Sequence, residues 1–237
     1  DAYDFYLRAL PHMASVMPAD ARIAAGFLKQ ALELDPGYAA AQAMLAWCHE
    51  ICFMRDGFDE ADKTAGLGYA RSAIASGTDD SVSLAVSALV VSHLGKERET
   101  AASAIERALS LNPSSGVALF FGAHINAFNG NPAIVSTYAQ RALRLSPFDL
   151  FSYEAHNALG LAAVQEGRYD EAATHFGSSI QANSRFSTLY FFQAVSLALA
   201  GRLEEASRIV RRALELEPGF RNKFFLDIGL IPAIADK

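Results

Sequence analysis

Cys48 and Cys52 lie four residues apart, with His49 next to the first thiol. That spacing puts both sulfurs on one face of a helix. A protein-bound zinc wants about four ligands. These are the chain's two thiols, and no His/Asp cluster is paired with them, so they read as packing cysteines and no metal is expected. His49-Glu50-Ile51-Cys52-Phe53 lacks the second histidine of a zinc-protease helix. Gly66-Leu67-Gly68 opens like a dinucleotide loop but continues as Tyr69-Ala70-Arg71, with no third glycine and no preceding strand. No phosphate loop and no G-x-S-x-G turn is present. Histidines 12, 49, 93, 124, 156 and 175 are scattered, and no Ser-His-Asp set assembles from them. The expectation is therefore a segment without catalytic residues, cofactor or metal.

What remains is the scaffold. The chain has 237 residues, 51% hydrophobic and 19% charged, enough apolar material for a substantial core. A net charge of -6 speaks against a general nucleic-acid binder. Arg208, Arg211 and Arg212, with Arg221 and Lys223 nearby, form one basic strip, read as a solvated outer face. The longest apolar run, Leu84 to Val91, is too short to span a bilayer, so neither membrane nor nucleic acid is an expected partner. Cysteine usage implies no oxidising compartment, and a cytoplasmic location is expected. The chain starts at Asp1 directly in helical pattern, which reads as a segment of a longer protein.

Punctuation gives the period. Leu-x-Leu-x-Pro endings fall at Pro36, Pro113, Pro147 and Pro218, and Pro113 to Pro147 is 34 residues. Gly95, Gly130, Gly167 and Gly201 mark turns inside the units, where glycine can end a helix in the left-handed region. Two marks per 34 residues imply two antiparallel helices per repeat. Ala24, Leu28 and Ala31 form one apolar face of a second helix. Pro11 is expected to kink its helix or end it early, and Met54 to Asp62 is expected to be a long loop. The small residues Gly160, Ala123 and Ala194 are placed at one position of the unit, where helices approach closely.

The stretch His156 to Ser184 holds a bulky residue, Leu159-Gly160, then Ala172 and Phe176 four apart, then a turn. It resembles a tetratricopeptide repeat. The resemblance implies an all-α fold: an α-α superhelix, or solenoid, of about six helix-turn-helix repeats in a single domain. The repeats span 2–36, 38–78, 79–113, 114–147, 148–184 and 185–218, with a capping helix in 219–237 built on Phe220, Phe224, Phe225 and Ile228. Ile231-Pro232 should leave helix. More narrowly, AYDFYLRAL and KQALELDPGYAAAQAMLAW resemble the carboxy-terminal repeat region of bacterial signalling proteins. In those proteins a class III adenylate or guanylate cyclase domain, or a winged-helix transcription regulator, comes first.

In such a stack the first helix of each repeat lines a concave groove. By register the expected lining includes Trp47, Val86, Val90, Phe120, His124, Asn157, Leu161 and Phe191, an aromatic-rich set suited to a helical or extended segment of a protein partner. The occupant could be another part of the parent chain. Three readings follow: an interaction module, a domain regulating an attached cyclase by ligand binding or homodimerisation, and a scaffold of a transcription regulator. The groove shows little Lys or Arg, which disfavours a clamp on a partner's terminal carboxylate.

Overall fold

The computed structural model describes residues 1–218; the capping helix, Arg221, Lys223 and Ile231-Pro232 lie outside the described residues. The described residues form twelve α-helices and no strand. In chain order these are α1 (Ala2–Met13), α2 (Pro18–Leu34), α3 (Ala39–Arg55), α4 (Glu60–Ala75), α5 (Ser81–Gly95) and α6 (Arg98–Leu111). There follow α7 (Gly116–Phe128), α8 (Pro132–Leu145), α9 (Ser152–Gln165), α10 (Tyr169–Ala182), α11 (Ser187–Leu199) and α12 (Leu203–Leu216). Each odd-numbered helix packs against the next as a hairpin, and α3, α5, α7 and α9 also lie side by side. None of these helices is long and apolar enough to cross a membrane.

Local sequence sets the ends. The Asp80 carboxylate accepts from the backbone N–H of Val82 and Ser83, both at 3.1 Å, and so caps α5. Prolines open α2 and α8 at positions where a missing N–H costs nothing. Gly130, Gly167 and Gly201 adopt φ of 74–80°, but in the α5–α6 turn the left-handed residue is Lys96 rather than Gly95. Pro11 sits inside α1, and the helix stops two residues later at Met13. The extra length of the second hairpin is helical. α3 and α4 run for 17 and 16 residues, leaving only 56–59 between them, so Met54 to Asp62 is not a long loop.

The two helices of a hairpin differ in burial. Second helices bury one stripe, as in Ala101, Ala104, Ile105 and Ala108 of α6. From α3 on, first helices are buried nearly all round, as in Leu84, Ala85, Val86, Ala88, Leu89, Val90 and Val91 of α5, whereas α1 buries only Ala9 and Met13. A titratable side chain on a first helix must therefore find its partner inside the protein.

Candidate functional site

The two thiols are packing groups here. Cys48 and Cys52 are buried, and Cys48 Sγ lies 3.3 Å from Met13 Sδ. Burial pushes the Cys52 thiol up to about 11 and Cys48 further still. His49 turns away from them to Asp62, with Nδ1 2.7 Å from Oδ1, and stacks on Tyr69. Among the described residues no group of three or more His, Cys, Asp or Glu side chains could hold a metal. Arg208, Arg211 and Arg212 are exposed on α12, where Arg212 pairs with Glu215.

All eight residues expected along the groove are buried. Trp47, His124 and Asn157 line a cavity of about 60 Å³. Val86, Val90, Phe120, Leu161 and Phe191 belong to the hydrophobic clusters between helices. Trp47 packs edge-on against Phe121 and Phe151, and Phe120 sits in a cluster with Phe176 and Phe192.

The cavity carries a polar chain that the sequence pattern did not reveal. Glu50 of α3, His93 of α5, His124 of α7 and Glu154 of α9 follow one another across four helices. Glu50 Oε1 is 2.7 Å from His93 Nδ1, and His93 Nε2 is 3.1 Å from His124 Nε2. His124 Nδ1 is 2.8 Å from Glu154 Oε2. The Asn157 amide donates to the same Glu154 oxygen at 3.2 Å. Burial pushes the Glu154 carboxyl up, but His124, Asn157 and His93 outweigh it and hold the group below the ordinary carboxylate range. The phenol of Tyr153, fully buried against Glu154, is pushed well above its usual value. Phe128 covers both imidazoles.

Arg55, at the end of α3, closes the mouth. Its side chain is 5% exposed. It donates to the Val16 carbonyl from the α1–α2 turn and, at 3.2 Å, to Ser187 Oγ of α11. Its guanidinium lies 4.7 Å over the Phe186 ring and 3.8 Å from Glu217 beyond α12. Arg185 reaches Asp20 at 3.8 Å, so the first two hairpins touch the sixth. Burial lowers the Arg55 pKa from its ordinary value while Glu217 opposes the shift. Three atoms of cavity-lining residues have no hydrogen-bond partner, Arg55 Nε, Tyr153 Oη and Asn157 Oδ1.

Glu50, Arg55, His93 and Glu154 were not among the residues picked from sequence. The available signal was a lone titratable side chain inside an otherwise apolar first helix, as with His93 in SVSLAVSALVVSHLG. The contacts themselves join residues 43 and 31 positions apart, beyond any local pattern.

Comparison with known proteins agrees on the architecture. The tetratricopeptide repeat family matches residues 127–185 and again 157–219, together less than half of the chain. No curated protein matches the chain in sequence. Human IFIT1, solved as a dimer with m7Gppp-AAAA, superposes with a TM-score of 0.68 at 19% identity, over 82% of this chain and 45% of that one. The chain thus spans less than half the length of IFIT1. Pseudomonas aeruginosa PilF gives a TM-score of 0.56 at 18% identity, over 100% of this chain and 97% of that one. MamA from Desulfovibrio magneticus RS-1 gives 0.51 at 14% identity, over 75% and 96%. Identities this low speak for fold alone. The helices and these likenesses define the class: a tetratricopeptide-type α-helical solenoid.

Proposed function

We infer that this segment is a non-catalytic interaction module that receives part of a protein partner on its concave face. The observation that carries the reading is the set of three unmet hydrogen-bonding atoms, Asn157 Oδ1, Arg55 Nε and Tyr153 Oη, on residues of one aromatic-walled cavity. Buried groups left without a partner are costly, and an inserted polar side chain can satisfy them. Catalysis is disfavoured by occupancy. His93 and His124, the imidazoles that face the cavity, each have both ring nitrogens engaged, leaving none to take a substrate proton. Nucleic acid is disfavoured by sign, because Glu50 and Glu154 face the cavity where phosphates would need cations.

Capture of partners from a cell extract tests this. Met54 lines the cavity, and Met54→Trp fills it. A partner held by the wild type and lost by a folded Met54→Trp variant supports the reading. Equal recovery by both overturns it. Regulation of an attached nucleotide cyclase by ligand binding or dimerisation, and scaffolding of a transcription regulator, have only the stretches AYDFYLRAL and KQALELDPGYAAAQAMLAW behind them. A cyclase or winged-helix domain in the same reading frame is the observation that would favour either.

A further inference from the structure

Three short contacts join four titratable side chains on four successive first helices: Glu50–His93 at 2.7 Å, His93–His124 at 3.1 Å and His124–Glu154 at 2.8 Å. Every one of these is a nitrogen facing an oxygen or another nitrogen at hydrogen-bond distance, so each needs one proton between its atoms. Two neutral imidazoles bring only two protons. With two, one contact becomes lone pair against lone pair. If His124 Nδ1 took the Asn157 N–H at 3.2 Å as an acceptor, it would face the Glu154 carboxylate bare at 2.8 Å.

We propose that the native protein holds three protons on this chain, giving it a net charge of −1, and that this proton count braces repeats two to five. The reading is independent of what, if anything, binds the cavity. The Nδ1 protons are donated to Glu50 and Glu154, and the third lies between the two Nε2 atoms. The other charged and titratable groups facing the chain are Arg55 and the Cys52 thiol of α3 and Tyr153 of α9, with Glu217 reaching it through Arg55. Phe128 and Phe192 wall the cavity without charge.

A fixed count of three has a signed consequence. In the unfolded chain the two imidazoles titrate near about pH 6.5. Well below that value the unfolded groups carry four protons, so stability rises with pH. Well above it they carry two, so stability falls with pH. The brace therefore contributes most near about pH 6.5 and weakens on both sides, approaching tenfold in the unfolding constant per pH unit.

The test compares the wild type with His93→Gln/His124→Gln, whose amides do not titrate. The ratio of their unfolding constants is expected to pass through an extremum near about pH 6.5. A ratio flat in pH overturns the proposal. Nitrogen-15 spectra of the histidine-labelled wild type give a second reading that needs no variant. Both Nδ1 atoms protonated, with one proton shared between the Nε2 atoms, is the expected state. One proton per ring across the same range overturns it.

Discussion

Gly160 of α9 lies flat against the Phe176 ring of α10: a Cβ added at Gly160 would sit 2.8 Å from both Cε1 and Cζ. Gly122 of α7 stands in the same relation to Tyr138 of α8, at 2.9 Å, with the same sixteen-residue separation. Gly122, not Ala123, is thus the counterpart of Gly160. The Phe176 ring is fully buried and packs at a tilt on Phe192, with ring centroids 5.3 Å apart, so it has little room to yield.

Gly160→Leu should therefore lower stability by about 1–3 kcal/mol, the usual cost of overpacking. A thermal melt measures this directly. An unchanged midpoint would mean that α9 and α10 do not meet as described. Tightness of this kind is also why the glycine is tolerated mid-helix despite its lower helix propensity.

Arg55 ties the first two hairpins to the sixth, and its loss should loosen that contact. Arg55→Met keeps much of the stem's volume but removes the bonds to Val16 and Ser187 and the pairing with Glu217. Glu217 is 25% exposed and can return to water, so the cost should be about 1–3 kcal/mol, below that of a fully buried charge left alone. Amide exchange in 185–189 should quicken, and the radius of gyration should grow. Unaltered exchange there would show that the contact is passive.

The fold was legible because helical hairpins write themselves locally. Leu-x-Leu-x-Pro runs mark the places where α2, α6, α8 and α12 stop, since the chain before proline leaves the helical region. The site was not. A one-residue drift separates Gly122 from Ala123, enough to move a projected side chain by about 100° around a helix. The concave lining was projected as open because nothing around Arg55 in the sequence announces Ser187 or Glu217 as its partners. The Glu50–His93–His124–Glu154 chain is a property of four helices side by side, and no one helix shows more than one of its four members.

Cys48 and Cys52 should behave as core atoms. Burial raises both thiols, Cys52 to about 11, so thiolate is scarce at neutral pH. A thiol reagent should label neither in the native protein and both in denaturant. Rapid labelling of Cys52 under native conditions would place α3 further from Pro18 than the 3.9 Å contact of Cys52 Sγ with its carbonyl.

His156 and His175 stack with ring centroids 6.5 Å apart, one on each helix of the fifth hairpin. Both are held below the ordinary imidazole value, His156 by burial and then by the charge of His175, and His175 by burial against the pull of Glu171. The sign follows from which state binds more protons. The unfolded imidazoles take up protons first as pH falls, so the contribution of the neutral pair is full above about 6.5 and is lost below it. His156→Gln removes one of these groups, and it leaves no unpartnered ring nitrogen where His156 Nδ1 now has none to bond. The fall in melting temperature between neutral and mildly acidic pH should be shallower in that variant. Because the Glu50–His93–His124–Glu154 chain is intact in both proteins, its own pH response cancels in the difference. Parallel curves for wild type and variant would assign the acid sensitivity elsewhere.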